Sequence, residues 1–359
     1  MIRLQHREDC CGCSACAAAC PHGAIRMEAD GMGFPYPHID PDRCIDCGLC
    51  EQVCAFKPLE KTATPKAEAI RFPACLEKSQ SGGLAYALMH KAIGAGYRVY
   101  GAALDPDFVV RHRRVDTLEG LEPLRLSKYA QSDMDGIAEQ ILADLTAGQR
   151  VLFTGTPCQC AGINSLCKDH RGQLLLADIV CRAVPSPAFW KSFLEANGKG
   201  GHLKHVVFRD PALGWHNTQT RLEYDDHVEH RSDFYFFFRE NLINRPSCAA
   251  CPFTEVHPSD ITMGDCWGVE KLLPGFADDD RGCSILLANT PAGEAFTRDF
   301  PMENQRTDVD ADSVRVYSGK KANPLADLVE KKYLCKGYAF VNARFGSNSL
   351  REKIKRLIK

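Results

Sequence analysis

Nineteen cysteines stand in this chain of 359 residues, and eight of them fall in two runs of identical spacing. Cys10, Cys13, Cys16 and Cys20 read C-x2-C-x2-C-x3-C and are followed by Pro21. Cys44, Cys47, Cys50 and Cys54 repeat the spacing, with Ala55 where the first run has proline. Thiolates are soft ligands suited to iron. Two-residue gaps let a tight loop wrap three corners of a cubane, and Gly12 and Gly48 relax the backbone there. In a doubled run of this kind the fourth cysteine serves the opposite site. The spacing thus assigns Cys10, Cys13, Cys16 and Cys54 to one [4Fe–4S] cluster, and Cys44, Cys47, Cys50 and Cys20 to a second. The rival metal is zinc, but zinc ribbons use paired C-x2-C units rather than runs of four. Cys11 is left without a role, because a side chain adjacent to a ligand points away from the cluster.

These thiols need elements to hold them. Residues 23–40, GAIRMEADGMGFPYPHID, read as a hairpin between the two runs, with Gly31 and Gly33 in its turn. Residues 1–58 therefore resemble a bacterial-type ferredoxin, a one-electron relay. KPLEKTATPKAEA (57–69) is polar, carries two prolines and lacks apolar periodicity. It reads as a linker, with 59–69 as the connecting segment.

Beyond the linker, helix-like and strand-like patterns alternate. Helices are expected over 81–96 (opened by Ser81), over 132–148, and over 186–198, where Ser186 caps and Pro187 takes the first position. Strands are expected over 98–104, 150–157 and 174–180. Such alternation argues for α/β architecture. Residues 203–240 look richer in strands, and FYFFF (234–238) reads as core packing. GAGYRV (94–99) lacks the third glycine of a dinucleotide fingerprint and follows a helix. SGG (81–83) would open a helix with free N–H groups suited to phosphate. TGTP (154–157) ends a strand, where ligands of open α/β sheets collect. A plain cap and a plain turn are the simpler readings of these two.

A second cysteine set comprises Cys158 after TGTP, Cys181 after LLLADIV, and Cys248 and Cys251 in a further C-x2-C. Spacing alone leaves a third cluster and four buried thiols equally open, since free cysteine packs like a small hydrophobe.

Composition narrows the class. Apolar residues make up 45% and the net charge is −2, so nothing global points to nucleic acid or an anionic membrane. No apolar run reaches spanning length, and MIRLQHREDCC has no signal-peptide core. A cytoplasmic location is expected, where many cysteines mean metal or redox work. The tail LREKIKRLIK (350–359) is basic and could form an amphipathic helix.

SGG (81–83), LSKYAQS (126–132), VLFTGTPCQCAG (151–162), DIVCRAVPSP (178–187), FRDPALGW (208–215), RPSCAACPF (245–253) and SDITMGDCWG (259–268) arrive in one order. In this the chain resembles the coenzyme F420 hydrogenase/dehydrogenase beta-subunit family, in the form with an N-terminal ferredoxin domain. The resemblance covers roughly residues 1–290. It implies an iron–sulfur flavoprotein oxidoreductase: a small two-cluster ferredoxin domain, then a larger flavin-binding α/β (α+β) region divided into 70–165 and 166–359. It implies FAD, with Ser81, Gly82, Gly83, Lys128, Tyr129, Gln131, Ser132, Thr154, Gly155, Thr156, Gly264 and Asp265 in its site. It implies a third [4Fe–4S] cluster on Cys158, Cys181, Cys248 and Cys251, with Cys160 competing for the place of Cys158. Partners implied are reduced ferredoxin or another redox protein, and a small-molecule substrate or F420-like carrier. A non-catalytic electron-transfer subunit is the alternative. Two residues depart from the family's pattern: Arg182 stands where histidine is common, and Cys266 where GD-x-WG has an aromatic or aliphatic residue. Lys128 and Arg182 are candidates for holding an anionic group.

Overall fold

The computed structural model of the chain describes residues 2–57, 65–198, 201–311 and 322–349. In the N-terminal unit, α1 (Ala15–Ala18) begins at Ser14 with φ +65°, and α2 (Leu49–Gln52) begins at Gly48 with φ +76°. Each left-handed residue turns a cysteine loop into a short helix, freely at glycine and at a steric cost at serine. Between them β1 (Ile25–Ala29) pairs antiparallel with β2 (Pro35–Ile39), as the 23–40 hairpin requires. Asp30 Oδ1 accepts from the N–H groups of Met32 and Phe34, both at 2.9 Å, and so fixes the turn.

The linker expectation needs correction. Lys66–Arg71 form β3, held between two antiparallel neighbours. The charged residues hid the strand. Glu68 is buried, but it is paired with Lys66 at 3.0 Å and with Arg306, so its charge is compensated inside the sheet. Residues 58–64 of the expected linker lie outside the described residues, as does the basic tail 350–359.

Chain order continues through α3 (Leu84–Gly94), β4 (Tyr97–Leu104), β5 (Val110–Val115), α4 (Ile137–Thr146), β6 (Arg150–Gly155), α5 (Pro157–Leu166), β7 (Leu174–Ile179) and α6 (Pro187–Asn197). A small antiparallel sheet follows, of β8 (Leu203–Val207), β9 (Thr220–Tyr224) and β10 (Val228–Arg231), then α7 (Asp233–Arg239). β11 (Ile261–Asp265), β12 (Ser284–Ala288) and β13 (Gln305–Asp308) return to the main sheet, and a last helix spans Ala326–Phe345 with a break at Gly337. Among the described residues no helix is long and apolar enough to cross a membrane.

The main sheet has eight strands in the order β13-β3-β12-β11-β7-β6-β4-β5. Strands from 70–165 and from 166–359 thus enter one sheet. β11, β7, β6 and β4 are mutually parallel, and β3 runs the same way, two antiparallel steps beyond β11. The carboxyl ends of these five strands therefore share one edge of the sheet. Alternation within the strands serves both faces. Val99, Leu152 and Leu175 pack under α3, while Tyr100, Phe153, Leu174 and Leu176 pack under α4 and α5.

Ser186 caps α6 as expected, accepting from Phe189 N–H at 3.0 Å, a contact of about 1 kcal/mol. Ser81 does not open α3. Gly83 does, at φ +86°, and Ser81 Oγ instead donates to Cys283 O at 2.7 Å. FYFFF lies on α7, where Phe234, Phe237 and Phe238 join Phe189, Trp190 and Phe193 in the core.

Candidate functional site

The first cysteine set gathers at one point. Cys10 and Cys16 each share an electrostatic neighbourhood with Cys13 and Cys54, so a thiol of the far run stands beside three of the near one. Burial pushes the Cys10 thiol up to about 11, opposed by the Arg245 charge. Burial also pushes Cys16 and Cys54 upward. Thiols so placed become thiolates only if a cation compensates them, which iron does. Gly12 N–H points at Cys10 Sγ, 3.3 Å away.

The second set, Cys20, Cys44, Cys47 and Cys50, lines one cavity of about 360 Å³ together with Ile39 and Arg43. Ala24 N–H and Ile2 N–H reach Cys20 Sγ and Cys50 Sγ at 3.3 and 3.2 Å. This cavity faces outward. Cys47 is exposed, and beside it Ile45 is 65% exposed. Among the described residues, no group of three or more His, Cys, Asp or Glu is close enough to hold a single metal ion.

The first set faces inward instead. A Cβ at Gly162 on α5 would lie 2.7 Å from Cys13 Sγ, so only glycine lets the helix approach. Cys11, to which spacing assigns no role, is buried with its thiol against those of Cys13 and Cys158. Cys158 is half-buried at the start of α5, with Thr156 Oγ1 3.2 Å from its sulfur. Its competitor Cys160 is fully buried in the apolar core with Phe153 and Ile163.

The remaining members of the third cysteine set lie on segments close to the Arg245 turn or to the N-terminal unit. Cys181 follows β7, and the chain after it runs beside 243–245: Arg245 N–H donates to Val184 O and Ser186 N–H to Ile243 O, both at 2.9 Å. Cys248 lies in the turn Pro246–Ala250, which packs on the turn Arg7–Asp9 just before Cys10. Phe253, two residues past Cys251, meets Phe56, two past Cys54, edge-on at 6.0 Å.

A buried clamp docks the N-terminal unit. Arg245 donates through Nε to Cys10 O at 2.8 Å, through Nη1 to Gln131 Oε1 at 2.9 Å, and through Nη2 to Pro35 O at 2.9 Å. Gln131 Nε2 donates to Cys11 O at 3.1 Å. The side chain of Gln131, expected at a flavin, is thus fully engaged in this clamp. Sequence reading missed the clamp although Arg245 lies in the motif RPSCAACPF.

The other expected flavin residues line the carboxyl edge of the sheet. Asp265, ending β11, accepts from Trp215 Nε1 at 2.7 Å and from Arg209 Nη1 at 3.0 Å. Gly264 before it abuts Val180. Tyr129 is bonded to Arg209, and burial pushes its hydroxyl up to about 12. Lys128 Nζ donates to Arg125 O at 2.6 Å and faces His112, whose Nε2 lies 3.0 Å from Thr154 O. Burial alone pulls Lys128 down to about 7, and among the described residues no carboxylate pairs with it. Gly155 ends β6, and Thr154 Oγ1 donates to Tyr100 O at 3.2 Å. Thr156 caps α5 reciprocally with Gln159, whose Nε2 donates to Ser132 Oγ at 2.9 Å. Gly82 is wedged where a Cβ would collide with Ile70 O and lie 2.5 Å from Ser284 N. Arg182 does not enter this group; it donates to Arg239 O at 2.7 Å.

Beside these residues opens a cleft of about 790 Å³, walled by Gln80, Arg125, Leu126, Trp215 and Arg281. Its size is that of an ordinary small-molecule or cofactor pocket. Gln80 is 7% exposed, and both its amide atoms lack a partner among the described residues, which marks the cleft wall as chemically incomplete. The signal for Gln80 was its place immediately before the SGG motif.

Two family models match the chain in succession. Residues 9–57 match the 4Fe-4S dicluster domain, and residues 148–312 match the family model for the C-terminal part of the beta subunit of coenzyme F420 hydrogenase/dehydrogenase. Over 61 residues the chain is 39% identical to the pyruvate synthase subunit PorD of Thermotoga maritima, and over 65 residues 36% identical to a ferredoxin of Pyrobaculum islandicum. Over 64 residues it is 34% identical to one component of the Na(+)-translocating ferredoxin:NAD(+) oxidoreductase complex of Acetobacterium woodii. These alignments take 17%, 18% and 18% of this chain, and span 57% of the first two relatives and 17% of the third. Among solved structures, a chain of the F420-reducing [NiFe] hydrogenase complex from Methanosarcina barkeri superimposes with a TM-score of 0.50 at 19% identity. The match covers 81% of this chain and 97% of that one, and it establishes likeness of fold.

Proposed function

We propose that this chain, a dicluster-bearing member of the coenzyme F420 hydrogenase/dehydrogenase beta-subunit family, is an iron–sulfur flavoprotein oxidoreductase. It passes electrons between a redox partner and a flavin that serves a small substrate or an F420-like carrier. The carrying observation is the placement of the inner thiols. Cys13 and Cys11 stand against Cys158, at the start of the helix that follows the Thr154–Thr156 turn at the sheet edge. The clusters and the flavin, when bound, supply single-electron relay and its conversion to two-electron chemistry.

The chain's own residues do the rest. Cys20, Cys44, Cys47 and Cys50 hold the outer cluster, where exposed Ile45 and Leu49 give a partner protein an apolar footing. Cys10, Cys13, Cys16 and Cys54 hold the inner one. Cys158, Cys181, Cys248 and Cys251 would hold a third cluster. Lys128 meets an anionic group of the cofactor. Gly82 and Gly83 bring the start of α3 to the cleft. Trp215, stacked on Trp267 at 4.7 Å, walls the site against water. The exposed apolar pair Ile45 and Leu49 also suits a second reading, an electron-transfer subunit without a substrate of its own.

Iron and flavin per chain of anaerobically purified protein test the proposal. About 12 iron with one FAD is expected, four per cluster. About 8 iron with one FAD removes the third cluster, and full cluster loading without flavin defeats the flavoprotein reading. Turnover of substrate by the isolated chain with a low-potential donor separates the enzyme from the electron-transfer subunit.

Lys128 gives the site a pH signature. Its ammonium is half deprotonated near pH 7 in the free protein, and a bound phosphate restores the charge. Flavin binding therefore takes up a proton above pH 7. The dissociation constant rises by up to about tenfold per pH unit until the pKa of the bound form is passed. Fluorescence titration between pH 6.5 and 9 is expected to show this slope in the wild type and a flat, weaker profile in Lys128→Met. An unchanged slope in the variant removes Lys128 from the site.

A further inference from the structure

Arg245 is 1% exposed, and all three acceptors around its guanidinium are neutral: Cys10 O, Gln131 Oε1 and Pro35 O. Other deeply buried arginines of this protein are matched. Arg209 has Asp265 at 3.0 Å, and Arg71 has Asp279 at 2.6 Å. Among the described residues no carboxylate pairs with Arg245. It lies 4.3 Å from the Tyr36 ring and 5.5 Å from the Phe34 ring, contacts that favour a cation without neutralising it. A buried charge left uncompensated is strongly disfavoured, so a site of this kind expects an anion. One source of negative charge beside it is the set Cys10, Cys13, Cys16 and Cys54, whose first thiol feels the Arg245 charge. A four-iron cluster held by four thiolates is anionic and becomes more so on reduction.

We propose that Arg245 is a positioning charge that makes the inner cluster the more readily reduced of the two in the dicluster domain. This deepens the relay reading and rests on its assignment of ligands. One electron leaves the outer cluster, which is oxidised, and reduces the inner one; no bond or proton is exchanged. A reduced iron–sulfur carrier supplies the electron at the exposed side. The outer set has no equivalent of Arg245 among the described residues. Arg43 lines its cavity, but Arg43 is exposed and lies near the likewise exposed Asp42 and Asp46, where water and salt screen it. Arg7, over the Tyr36 ring at 5.9 Å, is held by Asp30 at 2.5 Å and Glu330 at 2.6 Å and contributes little net charge. Backbone N–H groups meet sulfur in both sets at similar distances, so they do not separate them. Burial of the inner set works against reduction, as it also lifts the Cys10 thiol against the Arg245 charge; in the proposed relay this unscreened charge sets the order of the two clusters.

The test is a potentiometric titration of the full cluster-loaded chain followed by electron paramagnetic resonance. It is run with and without a soluble dysprosium chelate that relaxes only exposed centres. In the wild type the first signal to appear on reduction is expected to be shielded from the chelate and to persist in Cys181→Ser, which removes the third cluster. Arg245→Gln lowers the shielded cluster's reduction equilibrium by about tenfold, which is about 59 mV for one electron, and leaves the exposed cluster in place. Arg245→Lys retains most of the wild-type potential. The proposal is overturned if the first reduced signal is the one the chelate relaxes, or if Arg245→Gln leaves the shielded potential unmoved. Should Arg245→Gln fail to load its clusters, the wild-type order and the Arg245→Lys potential decide. A chain with one or no cluster signal in the dicluster domain would instead defeat the relay reading itself.

Discussion

Serine in place of Cys13 is expected to remove about 4 iron per chain and to cut electron flow into the large domain by more than about 100-fold. Cys13 is the thiol against which α5 closes at Gly162, and it touches Cys11, which touches Cys158. Loss of the inner cluster therefore opens a gap at the place where the small unit meets the third cysteine set. Cys47→Ser is the contrast. It loses the same iron, but Cys47 is exposed and lies on the outward side. A small reductant such as dithionite is expected to keep reducing the rest of that variant, while a protein donor fails. Iron assay with stopped-flow reduction of the flavin separates the two. Equal behaviour of both variants toward dithionite would remove the inward–outward ordering.

The second large effect is structural. Gly82→Ala drives a methyl into Ile70 O and places it 2.5 Å from Ser284 N, both backbone atoms of paired strands that cannot rotate away. Overpacking of this kind costs about 1–3 kcal/mol, and the rigid neighbours put Gly82 at the upper end. With Gly82 displaced, Gly83 no longer starts α3 beside the cleft. Thermal unfolding should fall by several degrees, with flavin lost before the clusters. Ser81→Ala removes only the bond to Cys283 O and is expected to cost about 1 kcal/mol. A Gly82→Ala protein as stable as wild type would show that the loop backbone yields.

The dicluster ligands were legible because their information is local. Three thiols in each tight loop declare a cubane site, and the return of the spacing declares its pair. The α/β sheet was legible from alternation for the same reason. β3 was not, because Lys66 and Glu68 look like linker residues until Arg306, far along the chain, compensates Glu68 inside the sheet. The clamp was unreadable for a stronger reason. Arg245 reaches partners 114 and 235 positions away, and nothing in RPSCAACPF distinguishes it from a surface arginine. Gln131 shows the reverse error. A family motif placed it at a cofactor, while its amide is bonded to Arg245 and Cys11. Between Cys158 and Cys160, spacing offered no choice; packing separates them by putting Cys160 in the core.

The clamp also sets an order in time. The inner cysteines leave the ribosome before Gln131, Gly162 and Arg245, which close over them. Once Gly162 lies on Cys13 and Arg245 on Cys10, Cys10, Cys13 and Cys54 keep only partial exposure and Cys16 is buried. Iron and sulfide therefore reach these four thiols most easily while the N-terminal unit is still undocked. The outer cysteines, with Cys47 open to solvent, stay easier to fill or repair afterwards. Maturation of this protein is thus favoured early on one side of the small domain and less bound to time on the other.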